Sequence, residues 1–131
     1  MLPLYESQKR EIIVELKKSV HLPPHLHEEI ELVYVTNGTV ELGVGKELFH
    51  MEKGDFAIIF PNVIHHCQVF SKGVNKAMYI GIKPALVPVY VDKLQKYSPK
   101  YPIIHSSLLK KEISDSIYAL ANMKEINLVL V

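Results

Sequence analysis

Between Glu11 and about Ile82 the chain is a succession of short runs in which apolar residues alternate with polar ones, broken by turn-forming residues. A period of two places successive side chains on opposite faces of an extended strand, so the pattern predicts half-buried strands rather than helices. The runs are Ile12 to Leu16, Glu29 to Thr36, Thr39 to Val44, Glu47 to Met51, Phe56 to Phe60, His66 to Phe70 and Lys76 to Ile82. Asn37-Gly38 suits a two-residue hairpin because both residues accept a positive φ, and Gly45-Lys46 offers a second reversal. Lys53-Gly54-Asp55, Pro61-Asn62 and Ser71-Lys72-Gly73 break the remaining runs. Short strands at this spacing predict a sandwich or barrel.

Beyond Pro84 the period changes. Val87, Tyr90, Val91, Leu94 and Tyr97 recur at helical spacing, with Pro88 acceptable in a first turn, and predict one helix. Tyr97 to Pro102 holds two prolines and reads as a connector. Leu109, Ile113, Ile117 and Leu120 then step by four, four and three, with Ser106 or Ser107 placed as a cap, and predict a second helix. The expected division is a β unit over residues 1–84 and a helical segment over 85–131. The apolar stripe of the second helix suits either packing on the β unit or a seam between two copies. The apolar run Leu128 to Val131, followed by no cap, charge or turn, is what a piece of a longer chain would show.

With 131 residues, 48% of them hydrophobic, the chain can bury one real core. Fifteen Lys and Arg against 14 Asp and Glu leave a formal charge of +1, so the basic footprint of a domain that grips nucleic acid unaided is missing. The single cysteine, Cys67, excludes an internal disulfide, and the opening residues MLPLYESQKR carry no cleavable apolar leader. Together these predict a reducing, cytoplasmic setting. No apolar run is long enough to span a bilayer, and no membrane partner is expected.

The stretch PPHLHEEIELVYVTNG, Pro23 to Gly38, concentrates titratable groups at the mouth of a core strand. In one extended strand His25, His27, Glu29 and Glu31 would share a face and form a single row. Two imidazoles and a carboxylate supply three ligands to a divalent transition metal when a neighbouring strand brings a fourth to the same place. The segment GDFAIIFPNVIHH is placed to do so: a strand, a Pro-Asn turn and a return that begins at His65 and His66, one facing inward and the other outward. By parity Cys67 shares the face of His65. A bulge would let Glu29 replace Glu31. Without a metal, Glu31 beside these imidazoles should titrate low and they should titrate high. Glu29, Cys67, Phe56 and Tyr79 are candidates for the wall of a ligand pocket, although aromatic residues on alternating strands more often form plain core. His66 is expected at the surface or a dimer interface, and His21, His50 and His105 have no evident partner.

These residues carry a resemblance. His25-x-His27-x3-Glu31-x6-Gly38 resembles the first motif of the cupin family. Gly54-x5-Phe60-x-Asn62-x2-His65 resembles the second, with Phe60 where that family has proline and Asn62 where it has glycine. The resemblance implies a mainly β fold, a double-stranded β-helix or jelly-roll barrel, followed here by α-helices. It also implies a metal set of His25, His27, Glu31 and His65 able to hold Zn, Ni, Fe or Mn.

The wider phrase, with EKGDFAIIFPNVIH, is similar to the N-terminal sensory domain of AraC-type transcription regulators over roughly residues 10 to 120. That resemblance implies a small-molecule effector, a homodimer joined through the helical segment, and residues 1–10 as a movable arm. DNA would be reached only through a helix-turn-helix domain that these residues do not contain. The alternative is a small metal-dependent enzyme of the cupin type, an oxygenase or isomerase, which needs a further acid or base that only Glu29 and Cys67 offer. A storage or structural role with no chemistry is disfavoured because buried histidines need partners.

Overall fold

The computed structural model describes residues 4–6, 11–86, 101–107, 111 and 115. Its strands, in chain order, are β1 (Leu4–Glu6), β2 (Ile12–Lys18), β3 (Leu22–His27), β4 (Ile30–Asn37), β5 (Thr39–Val44), β6 (Glu47–Glu52), β7 (Phe56–Ile59), β8 (His65–Gln68), β9 (Lys76–Ile82) and β10 (Ile103–Ile104). They form two five-stranded sheets, ordered β1-β3-β8-β5-β6 and β10-β7-β4-β9-β2. The pairings are antiparallel except that of β1 with β3. The chain is therefore mainly β, as its alternation predicted.

A strand β3 separate from β4 was not expected, since His25 and His27 were placed in one extended strand with Glu29 and Glu31, and Pro23 and Pro24 within it cannot donate to a ladder. The β3–β8 ladder accommodates them: Leu22 pairs with Cys67 and His25 with His65, and the register shifts in between, where the prolines lie. The chain then bends at Glu28–Glu29 and enters the other sheet at Ile30. This corrects the single row expected of His25, His27, Glu29 and Glu31. The imidazoles stand on β3 in the first sheet, and Glu31 stands on β4 in the second. The strand predicted from His66 to Phe70 begins one residue earlier, at His65, and ends at Gln68. β10, in a region predicted only as the sequel to a connector, adds to the edge of β7 through Ile103–Ala57 and Ile104–Phe56.

The core lies between the sheets. Val33 and Val35 of β4, Val40 and Leu42 of β5, Met51 of β6, Ile59 of β7 and Ala77 of β9 are at most 1% exposed and pack as one cluster. Each of the fully buried Val, Leu, Ile and Met side chains contributes about 1.5–3 kcal/mol relative to exposure. A second cluster, Val14, Tyr34, Phe56, Met78 and Ile80, draws only on the second sheet, from positions that alternate with the core residues, and so occupies its other face. Phe56, expected in a ligand pocket, belongs to this second cluster, because Ala57 and Ile59 take the inward positions of β7.

The helix predicted from Val87 to Tyr97 lies outside the described residues. So does the second predicted helix, apart from Lys111 and Asp115, both helical and exposed, which by themselves define no element. No described helix is long and apolar enough to cross a membrane.

Candidate metal centre

His25 and His65 face each other across the β3–β8 ladder, with ring centroids 4.1 Å apart. His27, two residues along β3, places its ring 4.8 Å from His65 and 6.0 Å from His25. One ring nitrogen from each of the three lies within 4.8 Å of the others. His25 and His65 are buried and His27 is half-buried.

The backbone fixes how these rings present themselves. His25 Nδ1 donates to the Pro23 carbonyl at 2.8 Å, His65 Nδ1 to the Val63 carbonyl at 2.8 Å, and His27 Nδ1 to the Glu29 carbonyl at 3.1 Å. A carbonyl oxygen only accepts, so each Nδ1 carries a proton, and in the neutral ring the lone pair resides on Nε2. Metal-binding imidazoles are oriented in this way, with the tautomer set by the group behind the ring.

Glu31 reaches the cluster from the opposite sheet, its Oε2 3.0 Å from His65 Nε2. Burial pushes its carboxyl up. The contact with His65 and the charges of His65, His27 and His25 outweigh burial and hold it below the usual carboxylate range. A lone-pair nitrogen and a carboxylate oxygen at that distance repel unless positive charge lies between them. A proton meets the requirement, and so does a metal ion. An ion bound at about 2.0–2.2 Å from N and O ligands asks only that these side chains close in slightly. Three Nδ1-tethered imidazoles and one carboxylate, drawn from both sheets into a buried spot, fit a first-row divalent ion.

Asn62 explains one departure from the second motif. It is the described non-glycine residue with a positive φ, 61°, in the turn joining β7 to β8. Asparagine tolerates this left-handed conformation better than most residues, so it can stand where the family has glycine. Its N–H donates to the His27 carbonyl at 2.8 Å, tying the turn that launches His65 to the strand that carries His27.

Cys67 follows His65 on the inward face of β8, and burial first, then the charge of Glu31, push its thiol up to about 12 against a smaller opposing effect of Lys17. Tyr79 packs against the same core from β9. Its phenol is likewise raised to about 12 by burial, despite a 2.7 Å hydrogen bond with Ser19 Oγ. Glu29 is buried at the bend, where its carbonyl holds His27. His66 points outward, and its ring lies over Gly43, its cross-strand partner, where any Cβ would collide with it.

The histidines that lacked a partner in the sequence have one in space. His50 sits between Glu41 and Glu52, which raise its pKa, Glu41 more strongly. The Glu41–His50 pairing follows from the β5–β6 register, and a hairpin at Gly45-Lys46 was the signal that could have found it. His105 lies 3.5 Å from Asp55, and His21 packs edge-on against Phe70 with centroids 5.8 Å apart.

A family profile described as "Cupin domain" matches residues 12–79. Among solved structures, the cupin domain of Cnp3 from Schizosaccharomyces pombe is similar with a TM-score of 0.55 at 13% identity, over 72% of this chain and 69% of that one. The conserved protein SPY1581 of unknown function from Streptococcus pyogenes is similar with a TM-score of 0.51 at 14% identity, over 59% of this chain and 68% of that one. Oxalate decarboxylase from Bacillus subtilis, a protein with Mn(II) centres, is similar with a TM-score of 0.50 at 12% identity, over 82% of this chain but 37% of that one. A comparison with curated proteins found no match. At these identities the likeness concerns the fold, and a fold of this kind selects no single function.

Proposed function

We propose, on the premise that this chain belongs to the cupin family, that it is the effector-receiving and dimerising part of an AraC-type transcription regulator. A small molecule enters the barrel at the imidazole cluster and binds one arrangement of barrel, N-terminal arm and helical segment better than another. That difference in affinity is what alters DNA binding by a helix-turn-helix domain outside these residues. Residues 85–131 join two copies, and the setting is cytoplasmic. A molecule bound equally by both arrangements would switch nothing.

The observation that carries this reading is the character of the groups beside the cluster. The inward polar side chains nearest to it along β8 and β9, Cys67 and Tyr79, both titrate near 12 and are neutral at pH 7. Groups so far from neutrality are poor general acids and bases, whereas a thiol and a phenol on an apolar wall suit binding.

Nε2 of His25, His27 and His65, with Glu31, would hold a divalent Zn, Ni, Fe or Mn ion. When bound, it supplies a fixed positive charge with open positions for an oxygen or nitrogen donor. The chain's own part is to orient the rings through the Pro23, Val63 and Glu29 carbonyls, to deliver the countercharge of Glu31, and to exclude water with the two sheets.

The reading is tested on the intact gene product. Its coding sequence beyond Val131 is expected to encode two helix-turn-helix motifs, and a stabilising metabolite found by thermal shift is expected to change its affinity for its promoter. A stop codon directly after Val131, together with turnover of the bound compound, would sink it. The second reading, a metal-dependent oxygenase or isomerase, is favoured by the donor set alone, three imidazoles and a carboxylate converging between the two sheets.

A further inference from the structure

Strand β2, at the edge of its sheet, turns a charge inward. Lys17 pairs with Ala77 and Glu15 with Tyr79 across the β2–β9 ladder, and Ala77 and Tyr79 belong to the core between the sheets. Lys17 and Glu15 therefore occupy the barrel-facing side of β2, while Val14 lies with the outer cluster. Apolar packing gives no reason for a lysine in that row.

The Lys17 ammonium stands 5.1 Å from the centroid of the Tyr79 ring. Among the described residues its ion-pair contact is with Glu15 at 3.9 Å, the outer limit of such a contact, and about half of its side chain is exposed. Its three donors are therefore poorly used. Beside it, Tyr79 Oη and Ser19 Oγ are 2.7 Å apart. One hydroxyl donates to the other, which leaves the pair one O–H for a third partner. The inward neighbours of Tyr79 on β9 are Ala77 and Gly81, so its own strand does not crowd the phenol.

Tyr79 shares the barrel-facing side of the second sheet with Glu31. Gly81 is the cross-strand partner of Glu31, and Tyr79 is two residues away on the same face. From Glu31 toward Lys17 the inward face of the second sheet thus passes Gly81, Tyr79 and Ala77 and ends at the ammonium.

We propose that the ligand this barrel receives is a small carboxylate, and that Lys17 together with the Tyr79–Ser19 hydroxyl pair recognises its carboxylate group. The proposal rests on the receptor reading above and adds the chemical class of the ligand. Ammonium–carboxylate hydrogen bonds are roughly twice as strong as neutral ones, and the side chain that competes for Lys17, Glu15, holds it only at 3.9 Å. A lysine facing inward on an edge strand can also serve to deter pairing with another sheet. That role predicts aggregation of Lys17 variants with ligand binding unaltered.

The test is calorimetric titration and thermal shift of the intact chain, metal-free and metal-loaded, with benzoate, 2-oxoglutarate and citrate, their methyl esters, and glucose. At least one free acid is expected to bind, with its ester and glucose much weaker. Lys17→Met is expected to weaken the acid roughly ten- to hundredfold, and Lys17→Arg to retain most of the affinity. Ser19→Ala should produce a smaller loss. Metal content and the melting temperature without ligand should not change in Lys17→Met, which separates a recognition defect from a folding defect. Absence of binding by every acid, esters as tight as acids, or an unchanged affinity in Lys17→Met would overturn the proposal. Lys17-dependent binding of an acid that the protein then converts would sink the receptor reading and leave this one standing. Lys17-independent binding of glucose, with a response at the promoter, would do the reverse.

Discussion

Among the described residues, two clusters of imidazole and carboxylate are built from the same residue types and differ in what they can do. Inside the barrel, His25, His27 and His65 each commit Nδ1 to a backbone carbonyl and turn Nε2 toward the others and toward Glu31. On the outer face of the first sheet, His50 contacts Glu41 through Nδ1 and Glu52 through Nε2. A carboxylate on each nitrogen favours the imidazolium form, which has no lone pair left to coordinate. Ligand capacity is therefore decided by what stands behind each ring and by burial, and not by a count of histidines and glutamates.

The largest expected effect separates the clusters directly. His65→Ala removes the ring that touches Glu31 and lies nearest both other imidazoles, and should lower metal affinity roughly a hundredfold or more. His50→Ala should leave it unchanged. Elemental analysis after dialysis against limiting Zn, Ni, Fe or Mn measures this, and equal trace metal in parent and both variants would refute coordination at the inner cluster.

Next in size is the turn that links the two inner strands. Asn62 holds φ at 61° and donates to the His27 carbonyl. Valine, β-branched and poorly suited to that conformation, should cost about 1–3 kcal/mol in urea unfolding. Asn62→Gly should be close to neutral, since glycine adopts the conformation freely. If valine and glycine behave alike, the backbone at Asn62 does not position the inner cluster. The same substitutions should not disturb the His50 contacts.

Much of this was legible in the sequence because a period of two and the turn residues act locally. Gly45-Lys46 marks a hairpin, β5 to β6, where alternation put it, whereas the hairpin expected at Asn37-Gly38 is instead a crossing from β4 in one sheet to β5 in the other, with the positive φ at Gly38 and not at Asn37. The inner cluster was legible for a weaker reason, the spacing of the motif. Its expected geometry, one row on one strand, failed at Glu28–Glu29, where the chain changes sheets. Nothing in the pattern HLHEEIEL distinguishes a bend there from continued strand, because the decision belongs to tertiary packing. Phe56 was misplaced because an aromatic residue on a strand buried on both faces has no periodic signal to say which face it takes. Lys17 was passed over because its partners, Tyr79 and Ala77, are remote in sequence.

Acid and base should distinguish the clusters in opposite directions. Glu31 titrates below its unfolded value, since the His65 contact and the surrounding imidazole charge outweigh burial. Its contribution is present above about pH 4.5 and is lost as pH falls through its folded pKa. Glu31→Gln should therefore flatten the acid limb of stability in metal-free protein, read as urea midpoints from pH 6 downward. An acid limb as steep in the variant as in the parent would show that Glu31 is not held low by the inner rings.

The smallest effect is at His50, and it has the opposite sign. Glu41, then Glu52, raise its folded pKa above the usual 6.5, so its contribution is full below about pH 6.5 and is lost as pH rises through the folded value. The ring is half exposed, and solvent screening limits the gain to a few tenths of a kcal/mol. His50→Gln should reduce stability by that little at pH 5.5 and by nothing at pH 9, and added salt should erase the difference. A loss that persists at pH 9 or in 1 M salt would mean that His50 acts by packing rather than by charge. The outer cluster would then differ from the inner one in shape as well as in protonation.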